Sequence, residues 1–155
     1  MGTIIKIDRS CPFDPIFFEG FGEGWIMGEE DVLSLQLFEI DPAEISLETC
    51  FKNKEKIISG NERVKRLKEL SYIRLDIGIF RTFWENKILI PKRWKKKENG
   101  RTLFASFDGT EFYGPDGYVY TVCLFWSGKW RWSYSRLDGP RGYSNDPSAV
   151  LINKV

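Results

Sequence analysis

The chain has 155 residues, a formal net charge of +1, three cysteines and no histidine. That length suits one domain, and 12 Phe, 6 Trp and 6 Tyr supply large side chains for its core. The missing imidazole excludes His-based triads, Cys-His nucleophile pairs and histidine metal sites. Cys11, Cys50 and Cys123 form no Cys-x-x-Cys pair, so buried free thiols are expected, with no metal and no organic cofactor.

In chain order, "MGTIIKIDRSC" lacks the pattern of a secretory signal, and no stretch approaches the roughly 20 apolar residues of a membrane span. A cytoplasmic protein without a membrane partner is expected. "GTIIKID" reads as a strand with Ile5 and Ile7 on one face. "CPFDPIFFEGFGEGW" carries two prolines and three glycines, which predicts an irregular segment with buried aromatics. "DVLSLQLFEI" alternates Leu33, Leu35 and Leu37 with Ser34 and Gln36, the pattern of a half-buried strand. Asp41, Pro42 and Glu44 start a short helix, and "SLETCFKN" reads as another strand. Ser59 and Glu62 form a capping box for a helix whose stripe is Val64, Leu67 and Leu70. Asp76 caps a second helix burying Ile77, Phe80, Phe83 and Trp84, with Gly78 costing about 1 kcal/mol relative to Ala. "IPKRWKKKENG" turns at Pro91 and ends in a solvated loop.

From Thr102 the period changes to two. Turns at Asp108-Gly109, Pro115-Asp116-Gly117 and Ser127-Gly128 divide this region into a four-strand antiparallel meander. A two-residue turn at Ser127-Gly128 puts Phe125 opposite Trp130 and Cys123 opposite Trp132. Trp130 and Trp132 then pack inside, while Tyr120, Trp126 and Arg131 share the other face, which either packs beneath the helices or the tail or stands open as a candidate ligand or partner surface. The turn-rich tail docks back through Ala149 to Ile152. The expected fold is a single α+β domain, residues 1–155, with two main helices on a mostly antiparallel sheet. Its segments are acidic strands and a short helix (1–58), a basic helical part (59–101), and the meander with its tail (102–155).

The near-zero net charge hides a split. Residues 1–50 hold eleven acidic and two basic side chains, whereas residues 51–101 hold sixteen basic and six acidic. Such separation steers a charged partner, or is satisfied within or between chains. Lys92, Arg93, Trp94, Lys95, Lys96 and Lys97 form a candidate patch for nucleic acid or an acidic partner, with Trp94 as the ring for base stacking. Asp108 and Asp116 sit where turns need Asp, and Glu85 is expected to be exposed, so no carboxylate pair marks an active site. A non-enzymatic protein-interaction or self-association module is the leading expectation. Single-stranded nucleic acid at residues 92–97, or a carbohydrate or small anion at the aromatic sheet face, are the alternatives.

The runs "RVKRLKELSYIRLD", "FRTFWENKILIPKRWK", "FASFDGTEFYGPDGYVY" and "DPSAVL" carry a resemblance to a family of small, uncharacterised bacterial proteins, encoded in several copies in genomes of uncultivated bacteria. It spans most of the chain, from "GWIMGEEDVLSLQL" to "PSAVL", and is most specific at Trp84-Glu85-Asn86, "IPKRW", "FDGT" and "DPSAVL". It implies a recurring bacterial domain and carries over no activity, ligand or catalytic residue. Similar sequences tend to have Glu-Ser or Glu-Asn between the Pro and the Trp, where this one has Lys92-Arg93.

Overall fold

The N-terminal elements are short: capping Asp31 ends the strand before it, and Asp41-Pro42 ends the next. The structure, a computed structural model, describes residues 3–153. In chain order it contains β1 (Ile5–Lys6), β2 (Ile26–Glu30), α1 (Val32–Leu35), β3 (Glu39–Ile40), β4 (Ser46–Glu48), β5 (Ile57–Ser59), α2 (Gly60–Glu69), β6 (Tyr72–Arg74) and α3 (Ile77–Glu85). Then come β7 (Phe104–Tyr113), β8 (Val119–Trp126), β9 (Trp130–Arg136), β10 (Pro140–Gly142) and β11 (Ser148–Ile152). The main sheet runs β4-β11-β7-β8-β9, with β2 also on β7 and β6 also on β11; only the β11–β7 pair is parallel. The architecture is α+β on a mostly antiparallel sheet, as expected.

Several caps form as predicted. The side chains of Ser59 and Asp76 accept from Glu62 N and Gly78 N, and Asp41 accepts from Ala43 N to start a 3-10 turn over Pro42–Glu44. The Glu62 carboxylate accepts from Arg66 Nε at 2.8 Å, so only the Ser59 half of the expected capping box forms. Val64 and Leu67 are buried, but Leu70, at the end of α2, is exposed. The expected strand at Leu33–Leu37 is instead the single turn α1, because the Asp31 carboxylate caps Leu33 N. That turns Ser34 inward, where its hydroxyl donates to Asp76 at 2.5 Å, and leaves Leu33 exposed. The tail does more than dock: Ala149 and Val150 are fully buried in β11, inside the sheet.

Two corrections concern the meander. It has three strands, because Asp108-Gly109 lies within the continuous strand β7 and makes no hairpin. Phe107 pairs with Val122 and Phe112 with Tyr120, so β7 bulges between them. Asp108 points into the molecule, accepting from Arg63 Nη2 at 3.2 Å and from the Thr121 hydroxyl at 2.8 Å. Gly109 lies against the β6 backbone, its N–H donating to Leu75 O at 2.9 Å.

The second correction is the β8–β9 register. Trp126 pairs with Trp130, Phe125 with Arg131 and Leu124 with Trp132, so the connection is a three-residue turn, Ser127 to Lys129. One added residue exchanges the faces. Trp126 and Tyr120 therefore share the face of Trp130, Trp132 and Leu124, and Arg131 belongs to the opposite one. Trp130 is buried as predicted, and half-buried Trp132 stacks on Phe21 with ring centroids 5.1 Å apart. This face carries the core: Phe80 and Phe83 of α3 meet Phe107, and α3 lies across it.

Candidate functional site

After Glu85 the chain makes two 3-10 turns, Lys87–Leu89 and Lys92–Lys95. Trp94 anchors the second. It is 2 % exposed and packs against Phe83 and Phe107 at centroid distances of 6.0 and 6.2 Å. With Trp94 turned in, Lys92 and Lys95 turn out toward the tip of the β8–β9 hairpin. Lys95 Nζ lies 4.0 Å above the Trp126 ring, which meets Trp130 edge-on at 5.2 Å. Lys87 repeats the arrangement: its Nζ lies 3.9 Å above Trp84 and donates to Trp84 O at 2.8 Å.

These groups border two adjoining depressions that share Lys87 and Trp130. The smaller, about 250 Å³, includes Lys92, Lys95 and Trp126. The larger, about 670 Å³, follows Lys129 through Tyr134, with Trp84 and Lys87 beside it and Glu19–Gly20 as a further border. Five cations, Lys87, Lys92, Lys95, Lys129 and Arg131, line the pair, against the single carboxylate of Glu19. Among the described residues none of the five has a carboxylate within salt-bridge distance. Among the described residues two ion pairs join a cation of the basic segment to a carboxylate of the acidic one, Lys68–Glu29 at 3.1 Å and Arg74–Asp31 at 3.6 Å. Lys52, Lys54, Lys56, Lys65, Lys96 and Lys97 also have no described carboxylate within salt-bridge distance, and the groove is where five such cations gather around tryptophan rings.

The residues expected from sequence divide accordingly. Lys92, Lys95 and Trp126 come together, and Arg131 borders the larger groove from the strand although its register puts it opposite Phe125. Tyr120 does not join them: its ring packs on Trp25 and Tyr134, and its hydroxyl donates to Asp116 at 2.5 Å. Trp94 cannot stack on a base because it is core. Arg93 is a strap, donating to Pro42 O and Ile45 O at 3.0 and 2.8 Å. Lys96 and Lys97 are exposed but border neither depression. Sequence reasoning missed Trp84, Lys87 and Lys129 as members. The first two had a signal, since residues three apart on a helical turn are neighbours.

A third depression, about 360 Å³, lies at the start of α3. Its carboxylates serve the fold. Asp76 accepts from both Arg9 Nη atoms at 3.0 and 3.1 Å, from Ser34 and from Gly78 N. Burial pushes the Glu30 carboxyl above its ordinary value, against a hydrogen bond from the Thr110 hydroxyl. Among the described residues no His, Cys, Asp and Glu cluster is arranged to hold a metal. Comparison with family models, curated proteins and solved structures finds no match for the chain.

Proposed function

We propose that the protein is a non-enzymatic interaction module that holds an acidic segment of a partner protein across this basic, tryptophan-lined surface. One observation carries the reading: five cations border adjoining depressions and lack carboxylate partners of their own. Carboxylates arriving there break no existing ion pair, and each exposed pair contributes up to about 1 kcal/mol. The tryptophan rings favour a protein over nucleic acid. Lys95 covers Trp126, Lys87 covers Trp84, Phe21 stacks on Trp132 and Trp94 is buried, which leaves little open ring face for bases.

The test is a calorimetric titration with oligoglutamate at low and high salt, beside oligothymidylate of matched charge. Oligoglutamate is expected to bind at low salt, to weaken with added salt, and to bind less to the double variant Lys87→Glu, Lys95→Glu. Absence of binding at low salt, or binding indifferent to the double variant, overturns the reading. Preference for oligothymidylate replaces it with nucleic-acid binding.

A further inference from the structure

We infer that the acidic segment docks as an added β-strand along the free edge of β9, a mode that rests on the interaction reading above. The sheet ends at β9. Its backbone directions follow from two hydrogen bonds between opposed residues, Ser127 N to Lys129 O at 2.9 Å and Leu137 N to Val119 O at 2.7 Å. Between them the pairing runs without a slip from Tyr120↔Arg136 to Trp126↔Trp130. In an antiparallel ladder, bonded and non-bonded pairs alternate. Arg131, Ser133 and Ser135 therefore turn their N–H and C=O toward β8. Trp130, Trp132, Tyr134 and Arg136 turn theirs away. The Arg136 carbonyl is taken, accepting from Arg141 Nη1 at 2.9 Å and Gly139 N at 3.1 Å. The outward backbone groups of Trp130, Trp132 and Tyr134 meet no hydrogen-bond partner among the described residues.

The larger groove lies along these groups. Neighbouring residues of a strand point to opposite faces, yet Lys129 through Tyr134 all border one groove. Only the edge of a strand presents both sets at once. Cations beside an open edge ordinarily deter pairing with another chain. Here they select the partner, because an added strand must bring carboxylates to Lys87, Lys129 and Arg131. A second copy of this chain would set Lys129 and Arg131 against their own kind. Trp84 and Lys87, with Glu19–Gly20, also border the groove, which suits one extended segment rather than a whole sheet.

The test uses a blocked peptide of alternating Glu and Val, with amide hydrogen exchange read by NMR. The expected result alternates: exchange slows roughly tenfold or more at Trp130, Trp132 and Tyr134, and is unchanged at Arg131 and Ser133, already bonded to β8. Tyr134→Pro removes one outward donor and leaves the β8 ladder, with Tyr134→Ala as the control for the lost ring. The proline variant is expected to bind about fivefold to tenfold more weakly than the alanine one. Salt-sensitive binding without the alternation overturns the strand mode and leaves the interaction module standing. No binding at all overturns both. Concentration-dependent protection without peptide assigns the edge to a second copy and overturns the acidic-segment inference.

Discussion

Arg63 holds Nη2 3.2 Å from the Asp108 carboxylate, and each side chain is only 1 % exposed. Burial by itself raises the Asp108 carboxyl; Arg63, Arg141 and the Thr121 hydroxyl outweigh it and hold the group below its ordinary value. A carboxyl lowered by folding contributes stability that is complete at neutral pH and fades as pH falls through the lowered value. Glu30, Glu111 and Asp146, raised mainly by burial, act with the opposite sign. Asp108→Ala leaves Arg63 buried without its counter-charge and is expected to cost about 3–5 kcal/mol at neutral pH. Asp108→Asn is expected to flatten the loss of stability below about pH 4. Urea unfolding across that range checks both, and an Asn variant with the same acid limb as the parent would refute the assignment.

Gly109 has no room for a side chain. A Cβ there would run into Arg74 O and stand 2.5 Å from Leu75 C, both backbone atoms that cannot swing aside. Gly109→Ala is expected to cost about 1–3 kcal/mol or more, by forcing β7 off β6. Gly128 is a different case, with φ of +73° and no atom within 4 Å of where a Cβ would stand. Gly128→Ala is expected to cost only about 1 kcal/mol, for the left-handed backbone. Thermal melts of the two variants give the ordering, and equal losses would contradict it.

What could be read in the sequence was local, and what could not was set by distant residues. Ser59, Asp41 and Asp76 cap the turns that follow them, so their helical starts were legible. Ile5 and Ile7 alternate into the core for the same reason. Leu33, Leu35 and Leu37 misled because Ser34 is required beneath Asp76, 42 residues away. Asp108-Gly109 has the chemistry of a turn, yet Arg63 and the β6 backbone hold it inside a strand. At Ser127 a single extra turn residue separated Arg131 from Trp126, since parity decides every face along β9. The groove was half visible: its cations are in the charge split, but the free edge they border exists only once β9 ends the sheet.

The cysteines are expected to separate kinetically. Cys123 is buried, and burial pushes its thiol up to about 12, so it holds little thiolate at neutral pH. Cys50 is partly exposed and also raised by burial. Cys11 is exposed, contrary to the expectation that all three thiols are buried. Thiol titration of the native protein should show Cys11 reacting first, Cys50 more slowly and Cys123 only on unfolding. Fast modification of Cys123, located by peptide mass mapping, would mean the β8–β9 ladder opens readily.

Trp94 and Trp126 carry opposite predictions although both lie beside lysines. Trp94 fills the space under the Lys92–Lys95 turn against Phe83 and Phe107, so Trp94→Ala is expected to cost about 3–5 kcal/mol. Trp126 is half-buried at the hairpin tip between Lys95 and Trp130, and Trp126→Ala removes mainly surface contacts, a loss of about 1 kcal/mol. Iodide, an anionic quencher, is drawn to the groove cations and should reach Trp126 well before Trp94. Trp84 and Trp132 are half-buried at the same groove, so Trp126→Phe is expected to remove only part of the iodide-accessible emission, and Trp94→Phe none of it. Iodide quenching that survives Trp126→Phe unchanged would place the accessible indole elsewhere and break the link between Lys95 and the open surface.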